Sequence, residues 1–268
     1  FVLGVFLLLA SAPRADAQLL PSIFPNIFGV DDRFEVAAGE YPFRQVVRLR
    51  YDAEDGPHHF TGALIGPRHV LTVAHGVVPL LSGASIPPRR LRVSVQPYDD
   101  LLQSTTYVTR IQVLGGRGPF GGALKNAEDD WAILEIDAPL GEIHGFLPVS
   151  AEVVPGNADV GLQDLWLAGF SSDFHHGLRM SGQRGCSIRG VVAEFGIVRH
   201  DCDLTPGISG APLLRCEVNG ACRIIGIQIT EGRQGEAGSV RRLEYSIAYA
   251  NSAIWARLFI QAVGDLTR

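Results

Sequence analysis

Three side chains, far apart in a chain of 268 residues, are of the types that together make an alcohol reactive. Ser209 lies in "CDLTPGISGAPLL", residues 202–214, between two glycines. A serine hydroxyl is a poor nucleophile at neutral pH. It needs a base to take its proton and a third group to orient that base. His75, at the end of the apolar run "VLTVAH", is the candidate base. Asp130, in "EDDWAILEID", directly precedes an apolar strand-like run, where a buried carboxylate is costly unless a partner such as an imidazole N–H meets it. Asp129 is the rival. The chemistry also needs donors aimed at the developing oxyanion. Gly207 permits a bend that turns an N–H inward, so the Gly207 and Ser209 amides are the candidate oxyanion hole, and Gly210 leaves room for a substrate chain. Each residue taken singly has an ordinary reading: a turn serine, a structural histidine, a solvated turn aspartate.

The elements that must position these residues read as strands. Short runs bounded by turn residues recur: "FRQVVRLRY", "TGALIG", "HVLTVAH", "LRVSVQPY", "TYVTRIQVL", "WAILEID", "DLWLAGF", "SIRGVVAEF", "APLLRC", "RIIGIQIT" and "EYSIAYA". The 31 glycines and 16 prolines supply the many turns this needs. Helical spacing is confined to "NSAIWARLFIQAV", with Asn251 or Ser252 as cap and Ile254, Trp255, Leu258, Phe259 and Val263 on one face. The expected fold class is all-β: two packed six-stranded antiparallel β-barrels with a C-terminal α-helix. Residues 30–140 form the first barrel, 141–160 a Pro/Gly-rich connection, and 161–268 the second barrel plus the terminal helix.

Hydrophobic residues make up 46% and charged residues 19%, the composition of a chain with a sizeable core. A net charge of −5 provides no broad basic surface and argues against nucleic acid as a partner. The opening "FVLGVFLLLASAPRADAQ" is too short in apolar residues to span a bilayer, where about 20 are needed. With Ala15-Asp16-Ala17 it fits a secretory signal over residues 1–17, its start truncated, and the other reading is a buried helix. Residues 18–29 read as a spacer or pro-segment. The expected location is secreted or periplasmic, with no membrane contact after signal removal. Four cysteines suit that compartment. Of three possible pairings, Cys186–Cys202 and Cys216–Cys222 are favoured, the second closing a five-residue loop. Their spacings lack any Cys-x-x-Cys unit, so no metal is expected.

In the order His75, Asp130, Ser209, the stretches "TVAHG", "DWAIL" and "GISGAP" resemble the trypsin- and chymotrypsin-like serine proteases. Subtilisin-like enzymes and α/β-hydrolases use other orders. The stretch "FGVDDRFEVAAGEYPFRQVVRL" is similar to the start of mature enzymes in the bacterial glutamyl-endopeptidase-like branch. The resemblance runs from about residue 29 to 262. It implies a double barrel with the active site in the cleft, His75 as base, Asp130 as orienter, Ser209 as nucleophile, no cofactor, and a peptide or protein substrate. Ile208 replaces the aspartate that animal digestive relatives carry before the serine, so their activation ion pair cannot form. Gln228 stands where glutamyl endopeptidases carry a pocket histidine, and Leu204 near their threonine. Residues 203–206 and 228–232 are thus the expected walls of the specificity pocket, with Leu204, Gln228, Thr230 and Glu231 as its candidate residues. Two other classes stay open: a non-catalytic secreted homologue that binds peptides or partners, and an esterase-like hydrolase using the same triad. "GGRGPFGGALK" lacks the ending of a phosphate loop. His58-His59 and His175-His176 are ill-placed for joint chelation on a strand, and Asp99-Asp100 carries no further calcium spacing.

Overall fold

Apolar strand runs, mostly buried, build the first half of the fold. The computed structural model describes residues 26–37, 39–77, 90–95, 105–115, 127–152, 162–230, 245–247 and 250–266. The segment read as a signal and most of the spacer therefore lie outside the described residues, as does Asp99-Asp100. A two-residue strand, β1 (Phe34–Glu35), comes first. Then follow β2 (Val46–Ala53), β3 (Gly56–Gly66), β4 (His69–Thr72), β5 (Arg92–Val95), β6 (Thr105–Leu114) and β7 (Ala132–Ile136). These six pair in the order β2-β3-β4-β7-β6-β5, and β5 returns to β2, so the sheet closes into a barrel. In β5, Val93 and Val95 are buried while Arg92 and Ser94 are half-exposed, the period of two that aims alternate side chains into a barrel.

A short helix, α1 (Leu140–His144), leads away from the barrel. The second half contributes β8 (Leu165–Gly169), β9 (Ser181–Cys186), β10 (Ile188–Val192), β11 (Ile197–His200), β12 (Pro212–Cys216), β13 (Cys222–Thr230) and β14 (Asn251–Trp255), ending in α2 (Ile260–Leu266). Their sheet corrects the expectation of two six-stranded barrels. It has eight strands, ordered β1-β9-β8-β12-β13-β14-β11-β10, and it does not close. The reason is local. Only Ser187 separates β9 from β10, so the two are consecutive pieces of one bent run and form no ladder with each other. The other edge of β9 is taken by β1, through Phe34 opposite Gly182 and Glu35 opposite Ser181.

The terminal helix is present but shorter than expected. Asn251–Trp255 is a strand with all five residues buried, and the α-helix begins at Ile260. A fully buried strand shows no alternation, and short apolar runs of this kind read equally as helix. Of the strand expected over residues 244–250, the described residues 245–247 and 250 are not in a strand.

One apolar cluster runs through both sheets. Leu49, Leu64, Leu71 and Ile133 of the barrel join Leu213, Ile224, Ile254 and Phe259 of the second half. Trp131, just before β7, packs its ring 5.9 Å from that of Phe259, which ties the C-terminal segment to the strand start bearing Asp130. Burying a ring such as Phe259 contributes about 1.5–3 kcal/mol. A smaller cluster of Val36, Phe43, Val46, Ala168, Phe170 and Met180 fastens the chain's start to β8. Cys186 is bonded to Cys202, and Cys216 to Cys222. The second bridge joins residues directly opposite each other on β12 and β13, across a five-residue loop.

Candidate active site

Two strands that pair side by side bring His75 and Asp130 together. Thr72 on β4 lies opposite Ala132 on β7. His75 follows Thr72 by three residues, in a turn closed by the Val77 amide on the Ala74 carbonyl at 3.0 Å, and Asp130 precedes Ala132 by two. Both therefore emerge at the same end of the barrel. Asp130 is fully buried. Its Oδ1 accepts from the His75 amide at 2.8 Å, and its Oδ2 meets His75 Nδ1 at 2.6 Å. An ionised carboxylate only accepts, so Nδ1 carries the proton and Nε2 is the acceptor face of the ring. The His75 side chain is 24% exposed against 0% for Asp130, so the ring stands between a dry carboxylate and open solvent. Of the two adjacent aspartates, Asp130 is the one that meets the imidazole. Asp129 lies in the preceding 3₁₀ turn, half-exposed.

Ser209 comes from the other sheet, on the bend between the bridge of Leu204 to Asn26 and the start of β12. Its carbonyl accepts from the Thr61 amide of β3 at 2.8 Å. The Thr61 carbonyl in turn accepts from Thr72 Oγ1 at 2.6 Å, three residues before His75. Gly210, at φ +86°, passes so close that a Cβ there would collide with the Thr61 carbonyl and Thr72 Oγ1. The serine bend thus lies against β3 and β4, and β4 leads into the turn that carries His75. Among the described residues, Ser209 makes only that carbonyl bond, and no hydrogen bond from its hydroxyl to His75 is present. Gly207 has φ +97°, a left-handed conformation suited to glycine, and a Cβ there would strike His59 Nε2 and the Phe170 carbonyl. Among the described residues the amides of Gly207 and Ser209 donate no hydrogen bond.

No family model and no curated protein matches the chain. Among solved structures, a Glu endopeptidase in complex with MPD matches with a TM-score of 0.63 over 89% of this chain and 99% of its own, at 17% identity. The fold is similar to that of a Glu endopeptidase. At that identity the likeness is one of fold.

Within this endopeptidase-like fold, the residues expected to wall a specificity pocket are mostly inside the protein. Leu204 has 0% and Gln228 1% of its surface exposed, so neither side chain offers area to an incoming group as it stands. Leu204 exchanges backbone hydrogen bonds with Asn26 at 2.9 and 3.2 Å, which lays the segment around Asn26 along this stretch. The Gln228 amide is engaged at both ends. Its Oε1 accepts from His200 Nε2 at 2.6 Å, and its Nε2 donates to the Thr230 carbonyl at 3.0 Å. His200 Nδ1 accepts from the Cys202 amide at 3.3 Å, which leaves its proton on Nε2. Burial pushes His200 down to about 4, so it is neutral, with the Gln228 bond only partly opposing the shift. Thr230 is exposed at the end of β13, and Glu231 lies outside the described residues. Asp203, also in this wall, accepts the Phe28 amide at 2.7 Å on Oδ1. Burial pushes its carboxyl up to about 7; the Phe28 hydrogen bond works against that shift, while Asp32 and Asp31 add to it.

Sequence reading missed several residues that shape this site. Thr61 looks like one more strand residue in "FTGALIG", yet its backbone and hydroxyl touch both Gly207 and Ser209. Ser172 sits in a loop with no pattern. His59 turns inward to bond the Phe170 carbonyl at 2.9 Å, while its neighbour His58 turns outward to Asp55 at 2.7 Å. His200, in "IVRHDCD", carries no signal beyond its type.

Proposed function

We propose that this chain is a secreted or periplasmic serine endopeptidase that cuts peptide bonds through an acyl-enzyme, using His75, Asp130 and Ser209. The observation that carries the reading is the buried Asp130 carboxylate holding both the amide and the ring of His75, at the barrel end where the Ser209 bend is tied to Thr61. The likeness in fold to a Glu endopeptidase supports it. The two disulfides suit an extracytoplasmic location, and no helix among the described residues is long and apolar enough to cross a membrane.

In this mechanism His75 Nε2 takes the Ser209 proton as Oγ attacks the carbonyl carbon of the peptide bond. The carbonyl π pair moves to oxygen, and the Gly207 and Ser209 N–H groups receive the oxyanion. Asp130 steadies the imidazolium that forms. Collapse of the intermediate breaks the C–N bond, and His75 gives its proton to the departing amine. Water then repeats the sequence on the acyl-enzyme and returns Ser209 to its hydroxyl form. Leu204, Gln228, Thr230 and Glu231 are assigned to the specificity pocket. Gln228 is uncharged and its amide is committed to His200 and Thr230, so it offers no positive group to a carboxylate, and a preference for glutamate is not expected.

A peptide-library digest tests the reading. The native chain should cut, with an arrangement of products that names the preferred side chain, and Ser209→Ala should leave the library intact. A native chain that binds peptides without cutting them would make this a non-catalytic homologue. Cleavage of esters but never of amides would make it an esterase.

A further inference from the structure

Oxyanion donors work only if their peptide planes are held still, and two residues outside the loop, Ser172 and Thr61, grip the carbonyls around those planes. In a trans peptide the N–H points opposite to the preceding carbonyl, so whatever grips one carbonyl aims the next N–H. The Pro206 carbonyl accepts twice from Ser172, from its amide at 2.8 Å and its Oγ at 2.7 Å. That grip turns the Gly207 N–H away from Ser172. The Gly207 carbonyl accepts from Thr61 Oγ1 at 2.9 Å, and the Ser209 carbonyl from the Thr61 amide at 2.8 Å. Between them, the Ile208 carbonyl accepts from the Ala211 amide at 2.9 Å and aims the Ser209 N–H.

Thr61 is fully committed to this task. It is 0% exposed, and its hydroxyl also accepts from the Phe170 amide at 3.0 Å. Ser172 Oγ lies 3.5 Å from His59 Nε2, the ring that fills the space a side chain at Gly207 would need. Glycine at 207 leaves the Pro206–Gly207 peptide free to rotate. Rotation would swing the Pro206 carbonyl toward the place of the oxyanion and remove a donor at the same time.

We propose that Ser172 and Thr61 are positioning residues: Ser172 holds the 206–207 peptide and so aims the Gly207 N–H, while Thr61 pins the Gly207 and Ser209 carbonyls on either side of the 208–209 peptide and so keeps the Ser209 N–H facing the reacting carbonyl. The inference rests on the endopeptidase reading above. The test measures kcat and KM on a peptide amide, and the affinity of a peptidyl boronic acid, which forms a tetrahedral adduct resembling the transition state. It uses the native chain, Ser172→Ala, Thr61→Val and the hydroxyl-retaining Thr61→Ser. Losing a whole oxyanion donor costs about 10² to 10³ in kcat, so losing one hold should cost about ten- to a hundredfold. KM should stay within about twofold, boronate affinity should fall with kcat/KM, and Thr61→Ser should recover most of the loss. If Thr61→Val fails to fold, Ser172→Ala, at a half-buried loop position, decides alone. An active native chain whose variants keep kcat, or lose only KM, overturns this inference and leaves the endopeptidase reading standing. A native chain that neither cuts peptides nor binds the boronate overturns both.

Discussion

Asp130 grips His75 by its main chain and its ring at once, at 2.8 Å to the amide and 2.6 Å to Nδ1. Two points of contact from one buried carboxylate define both where the ring stands and which nitrogen holds the proton. Asp130→Asn keeps the shape but offers an N–H where the ring needs an acceptor, and so favours the wrong tautomer. By the behaviour of other Ser-His-Asp triads, turnover should fall by about 10⁴ with the fold retained. Steady-state kinetics beside circular dichroism checks this; a loss below about tenfold would remove Asp130 from the mechanism.

Gly207→Ala should be far more damaging than Gly220→Ala. Both glycines have positive φ, but a Cβ at Gly220 meets nothing within 4 Å, whereas one at Gly207 strikes His59 and the Phe170 carbonyl. Gly220→Ala should cost backbone strain alone. Gly207→Ala should move the loop and lower kcat by at least about 10². Thermal melts and kinetics on the two variants separate strain from site damage.

Acid should weaken the fold through two histidines, His200 buried and His59 half-buried. Burial holds His59 and His200 down to about 4, from an ordinary 6.5. Between those values the unfolded chain binds protons that the folded chain refuses. Their contribution is therefore present above pH 6.5 and lost as pH falls through 4. Each accounts for about 1.4 kcal/mol per pH unit in that interval. Denaturant unfolding at several pH values should show a shallower slope for His59→Gln or His200→Gln than for the native chain.

Asp203 has the opposite sign. Its folded carboxyl titrates at about 7 against an ordinary 3.8, so its contribution is complete below 3.8 and lost as pH rises through 7. Asp203→Asn keeps an acceptor for the Phe28 amide and cannot ionise. Its stability advantage over the native chain should grow from pH 4 to 7 and stay constant above, as read from unfolding curves.

Residues that break a local rule were the ones legible in advance. A buried carboxylate ahead of the apolar run "WAILEI" is costly without a partner such as an imidazole N–H, and Asp130 is buried against the ring of His75. Gly207, two residues before Ser209, reads from the sequence as permitting a bend, and its φ is +97°. The eight-stranded sheet was not legible. Strand β9, "SGQRGC", has no alternation, and it exists because β8 and β1 pair with it from distant parts of the chain. Strand β14 resembles part of a helix in sequence because complete burial erases its periodicity. Thr61 and Ser172 stayed hidden because a hydroxyl acquires its meaning only from the carbonyl that tertiary packing places beside it.

The most direct test is the site of covalent labelling. A fluorophosphonate probe requires an activated serine, and mass spectrometry of the digested protein locates the adduct. The native chain should carry one adduct, on Ser209, and His75→Ala should suppress it. No adduct on the native chain, or one at another residue that persists in His75→Ala, would contradict the account.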